Sequence, residues 1–271
     1  MMFGASSFAA FPAELKDHVN SIELYIPKLD IYEGKRLQTS RLEKVVDELS
    51  VYGFSSTVHA PYFADSSTYP EALLVDTASM GEREFLLIEE SIALATRIEA
   101  SVVVLHPGRI GPDRQKSFSS MVENLRDLAS TAEDYGVLLG LENKESTDPL
   151  NLCCEAEELV RAIDAVGSDH LKATFDIGHA NLACGGDPEK LGGFVQALGK
   201  HIVHVHLHDN SGQKTPVYDG DEHLAPGKGC VDYSVLNLIP DYRGIYNLEV
   251  FSLEDVRAGK EFLENILKNN E

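Results

Sequence analysis

The stretch that decides the fold runs from His201 to Gly229. It opens as HIVHVHLHDN (201–210) and closes as DEHLAPGKG (221–229). In the first block His204, His206 and His208 alternate with Val205 and Leu207, the period of two that belongs to a β-strand. The three imidazoles therefore share one strand face, and the strand ends in the polar run Asp209-Asn210-Ser211-Gly212. The second block delivers Asp221 and His223 two residues apart, then Gly227 and Gly229. A strand tip and a following loop that both carry imidazoles and carboxylates can assemble a metal site on a β scaffold.

Outward from this strand, short apolar runs alternate with longer amphipathic ones. Strands are predicted over Met2–Phe8, Ser21–Ile26, Gly53–His59, Ser101–His106, Val137–Glu142, Leu171–Asp176, Ile202–His208 and Ile245–Val250. Between them, apolar residues recur at helical spacing over Ser40–Ser50, Gly81–Arg97, Gln115–Tyr135, Glu155–Val166, Pro188–Leu198, a short Tyr233–Leu238 and Leu253–Leu267. Strand–helix units repeated about eight times in some 250 residues match a TIM barrel, whose active site lies at the C-terminal ends of the strands. A doubly wound open sheet has fewer strands and no preference for polar residues at every tip. With no Pro/Gly/Ser-rich linker or charge block to divide the chain, the prediction is one α/β domain over 1–271, a single (β/α)8 barrel.

Composition narrows the partners. The chain of 271 residues carries 44 acidic and 23 basic side chains, a net charge of −21. Such a surface repels polyanions and acidic lipid headgroups, so nucleic acid is an unfavoured partner unless bound metal reverses the sign locally. Solvated helix faces account for the charge. Cys153, Cys154, Cys184 and Cys230 show no CxxC spacing and two are adjacent, which points to a reduced, cytoplasmic protein. The opening MMFGASSFAAFPAELKDH lacks a basic leader and meets Glu14 and Asp17 early, unlike a signal peptide. No apolar run approaches the roughly 18 residues a membrane helix needs.

The predicted strand ends carry a constellation. His59, His106, Glu142, Asp176, His206 and Glu249 follow one another at steps of 47, 36, 34, 30 and 43 residues, about one βα unit each. His179 and the pair Asp221 and His223 join them. One histidine after an apolar run is usually a hydrogen-bonded core residue. Four carboxylates converging in one cavity are strongly disfavoured unless cations offset them. Divalent metal is therefore expected at this mouth.

HAPY, VVVLHPG, GLEN, TFDIGHANL, HVHLHD, DEHLAPGKG and NLEV, spread from His59 to Glu249, resemble the xylose-isomerase-like TIM barrel superfamily. Its members include endonuclease IV and the sugar-phosphate isomerases and epimerases. In endonuclease IV-type members the resemblance implies three zinc ions. His59, His106 and Glu142 would hold one; Glu142, Asp176, His206 and Glu249 a second; His179, Asp221 and His223 a third. In the epimerase branch it implies a single ion on Glu142, Asp176, His206 and Glu249, so one to three ions are expected, zinc first and manganese or magnesium the alternatives.

Charge and motif detail separate the branches. Three divalent ions would leave the mouth net positive, suited to a phosphodiester, whereas the shared ion alone leaves it negative, suited to a neutral sugar or keto-acid. LENKESTDP, DIGH and HLHD stand where endonuclease IV has a Gly-containing turn after LE, a DTCH-type and an HLND-type motif. The reading favoured is a metal-dependent isomerase or epimerase of a small sugar or sugar phosphate, acting through a metal-stabilised enediolate. Glu142 and Glu249 would be its acid and base. The alternative is a trinuclear zinc phosphodiesterase acting on abasic DNA. Tyr62 and Phe63 stand where the endonuclease inserts side chains into DNA, but an aromatic pair also serves as pocket wall.

Smaller signals carry narrower expectations. His204 should be a satisfied core residue, and His208 should lie at the rim, within reach of substrate. Asp209 should orient a neighbouring side chain, and Gly227 and Gly229 should allow a tight backbone path under the site. Lys144 and Lys228 are the nearest basic residues, and Glu23 is either a rim acid or a barrel-interior residue. The oligomeric state leaves no trace in the sequence.

Overall fold

Eight parallel strands close into a ring in the computed structural model, which describes residues 2–33, 36–62, 75–214 and 220–267. In chain order the strands are β1 (Met2–Ser6), β2 (Ser21–Tyr25), β3 (Tyr32–Glu33), β4 (Arg36–Leu37), β5 (Ser55–His59) and β6 (Val102–Leu105). They continue as β7 (Leu138–Glu142), β8 (Leu171–Asp176), β9 (Ile202–Leu207) and β10 (Ile245–Leu248). β10 closes the ring by pairing with both β9 and β1, while β3 and β4 form a separate antiparallel hairpin. The helices are α1 (Pro12–Leu15), α2 (Thr39–Tyr52), α3 (Glu82–Arg97), α4 (Arg114–Tyr135), α5 (Ala156–Val166), α6 (Ile177–Ala183), α7 (Pro188–Leu198) and α8 (Leu253–Leu267). This is the (β/α)8 barrel that the sequence predicts.

Strand alternation sorts the side chains between two environments. Ile22, Leu24, Leu139, Leu141, Phe175, Val205 and Leu207 join the apolar faces of the helices in one continuous core. The residues between them, Glu23, Thr57, Thr174, His204, His206 and Asn247, are equally buried but polar. Barrels of this kind usually fill their interior with branched apolar side chains. Here the interior is a hydrogen-bonded network centred on Glu23, which accepts from Thr57 Oγ1 at 3.2 Å and Asn247 Nδ2 at 3.0 Å. Burying polar groups is tolerable only when they are paired.

Local chemistry sets the element ends. Asp113 caps α4 by accepting from Lys116 N at 3.1 Å. The helix stops at Gly136, whose positive φ of 68° turns the chain back toward β7. Several features differ from the sequence prediction. β1 ends at Ser6, two residues early, and the segment Tyr233–Leu238 is a 3-10 helix, not an α-helix. The hairpin, α1 and α6 were not predicted, because runs of two to seven residues are too short to show a period. Among the described residues, no helix is long and apolar enough to cross a membrane.

Candidate metal centre

Parallel strands in a closed ring bring all their C-terminal ends to one mouth. His59 ends β5, His106 follows β6, Glu142 ends β7, Asp176 ends β8, His206 is next to last in β9 and Glu249 follows β10. α6 adds His179, and the loop after β9 adds Asp221 and His223. The structure gathers these nine residues, joined by His208, into three groups, the donor atoms of each lying within 4.8 Å of one another. They are His59–His106–Glu142, Glu142–Asp176–His206–Glu249 and His179–His208–Asp221–His223, with Glu142 shared by the first two.

Fixed acceptors orient the imidazole rings. His59 Nδ1 lies 3.0 Å from Ala60 O, His179 Nδ1 2.9 Å from Asn143 O and His223 Nδ1 2.7 Å from Glu249 O. A carbonyl oxygen only accepts, so each Nδ1 carries a proton, and in the neutral ring each Nε2 is left with its lone pair. His206 is turned the other way. Its Nε2 lies 3.1 Å from Glu23 Oε2, and its Nδ1 faces Glu249 Oε2 at 3.3 Å, Glu142 Oε2 at 3.7 Å and Asp176 Oδ2 at 3.8 Å. Asp176 splits its two oxygens between tasks. Oδ1 caps α6 by accepting from His179 N at 2.7 Å and also meets His208 Nε2 at 3.0 Å, while Oδ2 points toward His206.

Among the described residues, His59 Nε2, Glu142 Oε2, Asp176 Oδ2, His179 Nε2 and His206 Nδ1 are buried without a hydrogen-bond partner. Each such orphan costs about 1–3 kcal/mol. A divalent cation would satisfy them, and a donor set of imidazole nitrogens and carboxylate oxygens fits zinc or manganese. The residues present therefore fit the metal.

Protonation follows the same electrostatics. Burial pulls the His206 imidazole down, but the charges of Glu23, Glu249 and Glu142 outweigh it and raise it well above its ordinary value. Burial likewise lowers His223, and Asp221 overrides it to push the ring up to about 9. Burial raises the Glu249 carboxyl, yet the facing His206 and His223 bring it down to about 2. His106 goes the other way: burial and the Lys144 ammonium lower it to about 4. Protons on imidazoles thus offset the negative charge that a cation would offset.

Several residues sit differently from their sequence expectation. Glu23 is wholly buried at the barrel centre, with His204 Nε2 2.9 Å from its Oε2. His208, expected at the rim, is wholly buried and stacks on His223 with ring centroids 4.0 Å apart. Its partners across the mouth, not its place in the strand, decide that position. Among the described residues Asp209 bonds no side chain; it binds the backbone N–H groups of Asn210, Gly227 and Val231 at 2.9, 2.9 and 3.0 Å. Gly229 passes so close that a Cβ there would lie 2.3 Å from Asn210 O. Asn143, unremarked in the sequence, ties β7 to β8 through Asp176 N and O, both at 2.9 Å.

Beside His106 lies a cavity of about 230 Å³ whose lining includes Tyr62, Arg109, Lys144, Glu145 and Asn151. Tyr62 stacks on His106 at 4.1 Å between centroids; Phe63 lies outside the described residues. Lys144 pairs with Glu145 at 2.8 Å, and Lys228 is exposed.

Residues 13–266 match the family model described as xylose isomerase-like TIM barrel. An uncharacterized protein of Methanocaldococcus jannaschii is 33% identical over 99% of this chain and 90% of its own length. A crystal structure of a D-tagatose 3-epimerase-like protein superimposes with a TM-score of 0.80 at 28% identity, covering 99% of this chain and 98% of that one. A probable endonuclease 4 of Thermoplasma acidophilum is 26% identical over 72% of this chain and 66% of its own length.

Proposed function

We propose that this chain, which belongs to the family of xylose isomerase-like TIM barrels, is a divalent-metal-dependent isomerase or epimerase of a small sugar or sugar phosphate. One observation carries this reading: Glu142, Asp176, His206 and Glu249, all buried, converge with donor atoms within 4.8 Å of one another. Those four residues would hold the ion. Their three carboxylates keep the loaded group net negative, which suits a neutral hydroxy-carbonyl compound. When bound, the ion supplies positive charge to the oxygens of such a substrate.

The chain's own residues do the remaining work. Glu249 and Glu142 are held ionised by the facing imidazoles, against the pull of burial. They can take a proton from the carbon beside the carbonyl and return one to it. The cavity beside His106, at about 230 Å³, is below the roughly 300–1,000 Å³ typical of drug-sized ligands and suits a small polar molecule. Incubating the metal-loaded protein with ketopentoses, ketohexoses and their phosphates in deuterium oxide tests the reading. Deuterium should enter at the carbon next to the carbonyl; no exchange with any of them contradicts it.

A second observation supports the alternative. The groups around His59 and His179 adjoin the first, and three divalent ions would turn the mouth positive, as a phosphodiester requires. Against a zinc phosphodiesterase, the cations at the cavity are already matched: Lys144 by Glu145 and Arg109 by Asp148, each at 2.8 Å. Contacts to a DNA backbone need unmatched Lys and Arg. Nicking of abasic duplex DNA by the zinc-loaded protein would decide for the alternative.

A further inference from the structure

Three of the histidines at the mouth are oriented by backbone carbonyls, but His206 is not. Its Nε2 lies 3.1 Å from each oxygen of Glu23 on β2, which with His204 and His206 makes a fourth close group of imidazoles and carboxylate, inside the barrel and not at the mouth. The same carboxylate meets His204 Nε2 at 2.9 Å, Asn247 Nδ2 at 3.0 Å and Thr57 Oγ1 at 3.2 Å. Four donors from β5, β9 and β10 therefore converge on two oxygens at the barrel centre. An ionised carboxylate meets them all because it only accepts.

We propose that Glu23 is a positioning residue for the metal centre: by accepting the Nε2–H of His206 it fixes the ring tautomer so that the Nδ1 lone pair faces Glu142, Asp176 and Glu249. The inference rests on the proposed metal centre and deepens it. Among the described residues no backbone carbonyl meets the His206 ring; its strand runs between β8 and β10, and its Nε2 turns into the barrel toward Glu23. The ring can only be addressed from inside the barrel, and that is where Glu23 stands. Carboxylate partners on the far nitrogen of ligating histidines fix ring orientation and raise ligand basicity, and their loss lowers metal affinity about 10–100-fold.

Replacement by glutamine separates positioning from packing. E23Q keeps the shape but sets one NH2 among four donors, so at least one must turn away. His206 can relieve the conflict by moving its proton to Nδ1, which removes the lone pair from the mouth. E23D keeps an acceptor-only group and should restore the tautomer in part. H204N removes another partner of Glu23 and an edge contact to the His206 ring, 5.1 Å between centroids, but keeps the Glu23–His206 hydrogen bond, and so reports what the rest of the network contributes.

The experiment measures zinc affinity by chelator competition and histidine tautomers by 15N NMR for the zinc-loaded wild type and the three variants. The expected result is His206 protonated at Nε2 and ligated through Nδ1 in the wild type. E23Q should lose about 10–100-fold in affinity, E23D less, and H204N should stay close to wild type. Wild-type zinc affinity in E23Q, an equal loss in H204N, or His206 ligated through Nε2 in the wild type each overturns the proposal. The last reading needs no variant to fold. Turnover is not measured, so failure to find a sugar substrate leaves this test intact.

Discussion

Gly178 stands directly against the His208 ring: a Cβ at Gly178 would lie 2.1 Å from His208 Cε1 and 2.4 Å from Nε2. Gly178 is in α6, where alanine would ordinarily be favoured over glycine by about 1 kcal/mol. The clash should win, because His208 is wholly buried, bonded to Asp176 and stacked on His223. G178A should therefore lower the melting temperature, at a cost of about 1–3 kcal/mol for overpacking, and weaken metal binding. A higher melting temperature with unchanged binding would show that the ring can move aside.

Asp209 pins the loop that carries Asp221 and His223. Its three contacts to backbone N–H groups are charge-assisted, and hydrogen bonds to charged groups contribute about 1.5–3 kcal/mol each. D209N should destabilise the protein by at least one such bond. Amide exchange at Gly227 and Val231 should accelerate more than exchange in β9. Uniform exchange rates would mean that the loop is held by its other contacts.

Much of this was legible in the sequence, and the reason is geometric. A parallel strand buried on both faces writes its apolar residues and its tip residue into one short run, as VVVLH and LKATFD do, so barrel strands and their end groups are local signals. Glu23 is not local. It meets His206 across 183 residues of chain, and only closure of the ring makes them neighbours. His208 shares its strand face with His206, so periodicity cannot say that stacking on His223 would bury it. α6 was hidden because its cap, Asp176, also ends a strand.

The ion-free protein should lose stability as pH rises. His223 is raised from an ordinary 6.5 to about 9, with burial opposed by the Asp221 charge. A raised imidazole stabilises the fold fully below its unfolded value, and the contribution disappears through the folded value. Chelator-treated protein should therefore show a falling melting temperature between about pH 6.5 and 9. Protein loaded only at Glu142, Asp176, His206 and Glu249 should keep this fall, and an ion held by His179, Asp221 and His223 should abolish it, because a ligating imidazole has already given up that proton. A melting temperature that rises over this window in the ion-free protein would contradict the assignment.

Glu249 should be required for proton transfer. E249Q keeps the volume but removes the ionised oxygen 3.3 Å from His206 Nδ1. Deuterium exchange into a responsive sugar should fall about 10²–10⁴-fold. Metal content measured on the same sample separates a lost proton carrier from a lost ligand. Wild-type exchange in E249Q would remove Glu249 from the chemistry.

Elemental analysis of the purified protein, before and after chelation and beside the H206A variant, bears most directly on the central claim. The account predicts at least one equivalent of zinc or manganese in the wild type, removed by chelator with a fall in melting temperature, and a marked loss in H206A. A wild-type protein that carries no divalent metal, takes up none on incubation and melts identically with and without chelator would contradict it.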